Sequence, residues 1–218
     1  MYIEFDLPDF SANVELFGSY WLHTIFVRSP SQRYEINALV STYVRLVASA
    51  IDQYGDGAKR LREFWSEHAS INLGSMNRSI SHFEACIFSM NRATNCLRRL
   101  RGDKQGDPVA IFLRKDKIVF AQDAVHDRIR MIRNEILHLE ESVLNGKVLE
   151  GQNFALRPDG PEIPHPSEVN QTIKTIDRLI IGSHEITFRD LVIWLTEMVH
   201  VVSRIVEALS EIRYSQAK

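Results

Sequence analysis

The chain has 218 residues, of which 44% are hydrophobic and 25% are charged. These are ordinary values for a globular protein, so they exclude wholesale disorder. No apolar run reaches the roughly 18 residues that a membrane-spanning helix needs, so no membrane partner is predicted. The formal net charge of −2 argues against a protein that coats nucleic acid.

Positive charge is concentrated in one stretch of the chain. Between Arg92 and Arg133 there are eleven Lys and Arg residues against five acids, which gives +6 in this stretch and −8 elsewhere. One interpretation is a solvated face followed by a basic loop. The other is a surface that binds the phosphates of a nucleic acid. Charge alone does not decide between them.

The first half of the chain predicts an N-terminal extension followed by helices. Residues 1–32 contain Pro8, Gly18 and Pro30 and are expected to form an irregular extension that packs on the core. Residues 34–54 have apolar side chains at helical spacing and predict a long helix. The Gly55-Asp56-Gly57 run is expected to end that helix, and a short helix over 58–68 should follow.

Three further long helices are predicted over residues 72–101, 120–144 and 187–214. Residues 147–185 are the least helical part, with several prolines and a predicted hairpin around Gly182-Ser183. The sequence therefore predicts an all-α fold covering residues 33–218. It would be a bundle of four long helices with a short extra helix, an irregular N-terminal segment and a small loop and β-hairpin excursion before the last helix.

Two cysteines, Cys86 and Cys96, fall in the second long helix. Ten helical residues span about 15 Å, which is too far for a disulfide. Reduced thiols are typical of the cytoplasm, so a cytoplasmic location is expected.

The third long helix carries an unusual polar flank. Its predicted core stripe consists of Val125, Ile129, Ile132, Ile136, Leu139 and Val143. The flank beside this stripe carries Arg130, Arg133, Asn134, Leu137, His138 and Glu141. Asn134 and His138 are four residues apart and therefore neighbours on the helix surface. A guanidinium, an amide and an imidazole thus share one flank.

These three groups suit cleavage of an RNA phosphodiester without a metal ion. Attack by a ribose 2′-OH needs a base and the departing 5′-oxygen needs an acid, and imidazole can serve as either. Arg133 can neutralise charge that builds on the phosphate, and Asn134 can orient the imidazole or the phosphate. One His138 cannot easily serve both sides of the phosphorus, so a two-fold homodimer with a composite site is expected.

Other residues are assigned smaller roles. Arg130, Glu141 and Arg128 are predicted to support substrate binding, and the basic residues of the 92–117 stretch are expected to steer RNA. His165 and His184 lack metal-ligand spacing, so neither a metal nor another cofactor is predicted.

The run Arg133-Asn134-Glu135-Ile136-Leu137-His138 resembles the Arg-Asn-x-x-x-His motif of the HEPN superfamily. This resemblance covers about residues 34–145 and the last helix. It implies a helical bundle that dimerises with its motifs facing each other. It also implies an endoribonuclease that leaves 2′,3′-cyclic phosphate ends, acting as a toxin or a defence effector, with an antitoxin or regulatory protein as a further partner. Toxins of the family that are silenced by nucleotidylation have a tyrosine two residues after the histidine. Glu140 stands there in this chain, which argues against that mode of control.

Two alternatives stay open. The first is a catalytically silent HEPN-type module that binds a nucleotide or RNA, or that mediates dimerisation. The second is an unrelated helical scaffold with a chance motif, in which Arg133 pairs with Glu135, Glu141 or another helix and His138 is an ordinary surface residue.

Overall fold

The computed structural model describes residues 1–10, 17–22, 31–66, 73–146 and 156–216. Its helices are α1 (Tyr34–Ser66), α2 (Leu73–Arg101), α3 (Pro108–Arg114), α4 (Asp123–Leu137), α5 (Leu139–Leu144) and α6 (Phe188–Gln216). Its strands are β1 (Tyr2–Phe5), β2 (Leu156–Asp159), β3 (Glu162–Pro164), β4 (Thr172–Ile176), β5 (Arg178–Ile181) and β6 (His184–Thr187). Residues 17–22 are also helical. The second and the last of the predicted long helices are confirmed.

The prediction of an all-α bundle is wrong, because the strands form two three-stranded sheets, ordered β1-β4-β3 and β2-β5-β6. The predicted hairpin is confirmed as β5–β6, with Ile181 opposite His184. Strands β2 and β3 escaped prediction because a proline interrupts each of them. Pro158 lies in β2 and Pro164 in β3, and both are edge strands, where the missing proline N–H need not enter the ladder.

The prediction that the Gly55–Gly57 run ends the first helix is also wrong, since α1 continues to Ser66. Buried Gly57 lies against Phe83, and a Cβ at this position would be 3.1 Å from the phenyl ring. The Ser79 hydroxyl donates a hydrogen bond of 2.8 Å to the Gly57 carbonyl. This close packing offsets the low helix propensity of glycine. The short extra helix is therefore the last part of α1.

The chain divides into two compact units, each assembled from three segments. The first unit comprises Met1–Phe10, Asp52–Ile87 and Ile129–Ile193, and it contains both sheets. In its core, the Phe83 ring lies with its centroid 5.3 Å from that of Phe188 and 6.0 Å from that of Tyr54. The Tyr54 hydroxyl donates to the Pro8 carbonyl at 2.9 Å. Strand β1 pairs in parallel with β4, so the N-terminal residues belong to a sheet.

The second unit comprises Ser11–Ile51, Phe88–Arg128 and Trp194–Lys218. Its described residues are helices and their connections. Fully buried Tyr43 donates a hydrogen bond of 3.0 Å to the Met198 carbonyl, and burial holds the pKa of Tyr43 well above its ordinary value. The Glu197 carboxylate accepts from the backbone N–H of Val119 and of Phe120, and this positions the segment before α4.

Candidate functional site

The motif lies on α4 and on the residue that follows it. The first turns of α4 are anchored in the second unit, where Asp123 accepts from Arg98 at 2.7 Å and His126 contacts Asn95 at 3.0 Å. Further along, Ile129 and Ile132 are buried, as the core stripe predicts. The stripe does not continue through α5, because Val143 is 55% exposed.

His138 lies at a junction between two helices. The third predicted helix was expected to be continuous over 120–144, which is wrong. Helix α4 ends at Leu137, and α5 begins at Leu139. His138 has φ −100° and ψ 17°, in the bridge region of backbone space, and its N–H donates to the Asn134 carbonyl at 2.9 Å. No proline or glycine lies between Asp123 and Asn145, so the sequence carries no local signal for this break.

Arg133 and Asn134 are joined by a side-chain hydrogen bond. Nη1 of Arg133 donates to Oδ1 of Asn134 at 2.8 Å, and both residues are half-buried. Because the amide oxygen of Asn134 accepts from the guanidinium, Asn134 holds Arg133 in place. The amide N–H groups of Asn134 are of the type that can donate to a phosphate. Asn134 was expected to orient the imidazole or the phosphate, but a different residue contacts the imidazole of His138.

Glu141 contacts the imidazole instead. Nδ1 of His138 lies 3.3 Å from Oε2 of Glu141, and the two side chains are 57% and 73% exposed. This contact can orient the ring so that Nε2 is the nitrogen that exchanges a proton with a substrate. Glu141 was predicted as a supporting residue, and this position suits a positioning role.

The other predicted residues have different surroundings. Arg130 is exposed on α4. The guanidinium carbon of Arg128 lies 5.5 Å from the ring centroid of Trp194, within the second unit. This cation–π contact accounts for Arg128 without a substrate, and its role in substrate binding stays a prediction.

Glu135, inside the motif, lies against the β5–β6 turn. The sequence analysis did not predict that this turn contacts the site. A Cβ built on Gly182 would be 2.5 Å from Oε1 of Glu135. The turn was predictable from the Gly-Ser pair, but its contact with α4 was not, because 47 residues separate the two positions. The hairpin thus supports the helix that carries the motif.

Replacing Gly182 with alanine is expected to lower the free energy of unfolding by about 1–2 kcal/mol from backbone strain alone, because its φ is +56°. Displacement of the Glu135 side chain should add to that loss. Urea denaturation measures the change. Gly106→Ala is the matched control, since Gly106 has φ +79° and nothing within 4 Å of the built Cβ. Equal losses in both variants would show that the contact with Glu135 contributes nothing.

The described ranges of the chain contain no group of three or more His, Cys, Asp or Glu side chains arranged to hold a metal ion. Within the same ranges, no helix combines the length and the apolar character required to cross a membrane. Cys86 is a buried thiol and Cys96 a half-buried thiol, and the two are not joined in a disulfide. No family model, curated protein or solved structure matches this chain.

Proposed function

We propose that this chain is a metal-independent endoribonuclease whose site consists of Arg133, Asn134 and His138. The observation that carries the proposal is the geometry of the motif. An exposed imidazole, held by a carboxylate at 3.3 Å, follows one helical turn after an arginine–asparagine pair joined at 2.8 Å. The resemblance of this run to the HEPN motif supports the same function. We further propose that the chain acts in the cytoplasm as a toxin or a defence effector.

The reaction is an intramolecular transesterification of the RNA phosphodiester. The ribose 2′-oxygen forms a bond to phosphorus as its proton passes to an imidazole. The bond from phosphorus to the 5′-oxygen breaks, and a protonated imidazole supplies the proton that this oxygen takes. The products are a 2′,3′-cyclic phosphate and a 5′-hydroxyl. Arg133 stabilises the charge on the phosphate oxygens through charge-assisted hydrogen bonds.

A second copy of the chain supplies the second imidazole. The base and the acid act on opposite sides of the phosphorus, so one His138 serves one side and that of the partner serves the other. Exposed apolar side chains beside the motif support this pairing. Met131 is 46% exposed and Leu137 is 47% exposed on α4, and Leu144 is 85% exposed at the end of α5. Large apolar side chains that stay exposed next to the motif suit an interaction surface.

Incubation of the purified chain with end-labelled total RNA and tRNA in EDTA tests the proposal. We expect cleavage of RNA, no cleavage of DNA of the same sequence, and 2′,3′-cyclic phosphate at the new ends. A single 2′-deoxynucleotide placed 5′ to a mapped cleavage site should abolish cleavage there, because the nucleophile is missing. Cleavage with 3′-hydroxyl ends, or cleavage of DNA, would contradict the mechanism. RNA binding without cleavage would support the silent binding module.

A further inference from the structure

Three arginines in the second unit are exposed to solvent. Arg45 lies on α1, and Arg92 and Arg99 lie on α2. Among the residues that the structure describes, none of the three has a hydrogen bond or an ion pair. Other arginines of the basic stretch are engaged. Arg98 binds Asp123 and the Ala121 carbonyl, Arg101 binds the Asp116 carbonyl, and Arg114 binds the Arg101 carbonyl.

The packing of α1 against α2 brings the three arginines together. The helices are antiparallel here, because Arg33 pairs with Asp103 at 2.6 Å and Ser49 contacts Ser89 at 3.4 Å. Arg45 is one turn before Ser49 on α1, and Arg92 is about one turn after Ser89 on α2, so the two arginines face each other across the helix pair. Arg99 follows two turns after Arg92 on the same side of α2.

The environment of Cys96 agrees with this grouping. Burial raises the pKa of the half-buried Cys96 thiol, and the positive charges of Arg99, Arg92 and Arg45 lower it in part. All three guanidinium groups therefore lie close enough to act on the Cys96 thiol, and Cys96 lies between Arg92 and Arg99 on α2. Neither helix supplies a carboxylate here, since α1 has no acid between Glu35 and Asp52, and α2 has none between Glu84 and Asp103.

We propose that Arg45, Arg92 and Arg99 form a binding surface for the phosphate backbone of RNA. Uncompensated arginines on two packed helices match a polyanion, because Arg92 and Arg99 are about 10 Å apart along the helix axis and can engage successive phosphates. The identification of the nucleic acid as RNA rests on the proposed function. The surface itself does not depend on cleavage, and its location differs from that of the motif in sequence and in unit.

Binding of a fluorescent 20-nucleotide RNA, followed by anisotropy, tests this surface. All proteins carry His138→Ala so that the RNA stays intact. The variant Arg45→Gln, Arg92→Gln, Arg99→Gln removes three contacts. The control Lys59→Gln, Arg78→Gln, Arg189→Gln removes the same charge from exposed positions outside the basic stretch. Losing three phosphate contacts should weaken binding on the order of 100-fold at 0.1 M salt and reduce the slope of log K against log salt by about 2. The control should change both far less.

Cys96 provides a second readout without any substitution, because Cys86 is buried and Cys96 is accessible in part. We expect RNA to slow alkylation of Cys96, both by covering the thiol and by neutralising the arginines that favour its thiolate. Inorganic phosphate at the same phosphate concentration should protect much less. Equal protection by free phosphate would overturn the assignment to a polymer.

Other results would also overturn this proposal. These are equal weakening by the two triple variants, RNA binding that leaves Cys96 alkylation unchanged, or tighter binding of polyglutamate than of RNA. The outcome is separable from the proposed function. Wild-type protein that binds RNA through these arginines but does not cleave it contradicts the function alone. Cleavage with an unchanged KM in the arginine variant contradicts the surface alone.

Discussion

Replacement of His138 with alanine is expected to lower the rate of RNA cleavage in EDTA by about 10²- to 10⁴-fold, the range that a general acid–base group contributes. The fold should survive, because the side chain is 57% exposed and its side-chain contact is with the exposed Glu141. Initial rates under single-turnover conditions measure the loss of chemistry separately from binding.

His200→Ala is the matched control for this substitution, because His200 is an exposed histidine on α6. It should cleave at the wild-type rate. Equal activity in wild type and His138→Ala would retire the proposed site and point to a contaminating nuclease. Glu141→Gln should reduce the rate less than His138→Ala, because Glu141 positions the imidazole and does not exchange the proton. A loss as large as that of His138→Ala would assign Glu141 a direct part in the chemistry.

Replacement of Leu137 with aspartate should separate the dimer and remove cleavage to the same extent as His138→Ala. In the proposed two-fold dimer, the flank of one copy lies against that of the other. Two new carboxylates would then meet in place of two apolar side chains, and each site would lack its second imidazole. Analytical ultracentrifugation measures the association, and the cleavage assay measures the activity. Ile163→Asp is the control, since Ile163 is 54% exposed on β3 and should leave both unchanged.

Mixed dimers give an independent check on the composite site. One part of wild-type protein is equilibrated with nine parts of His138→Ala protein. If each site needs two imidazoles, dimers of two wild-type chains make up about 1% of all dimers, and the activity falls to about that fraction. If a single chain is sufficient, about 10% of the activity remains. The second result, or a Leu137→Asp monomer that cleaves RNA, would contradict the dimeric site.

The features that depend on one element could be predicted from the sequence. Apolar periodicity located α2 and α6, and the Gly182-Ser183 pair located the β5–β6 turn. The same periodicity predicted that Ile129 and Ile132 are buried and that Arg133 and Asn134 lie beside them on α4, since the 3.6-residue repeat determines which side chains share a side of a helix. Spacing within a helix is a local property, so a single segment of sequence is sufficient to determine it.

Only the tertiary structure decided what joins distant segments. Gly57 stays helical because Phe83 packs against it, and the pairing of β1 with β4 joins residues about 170 apart. The position of Glu135 against Gly182, and that of Arg45 opposite Arg92, likewise depend on which elements pack together. Local sequence determined where most helices form and which side of each is apolar. The partners of those sides depend on burial and backbone pairing summed over the whole chain, which can outweigh local propensities of about 1 kcal/mol.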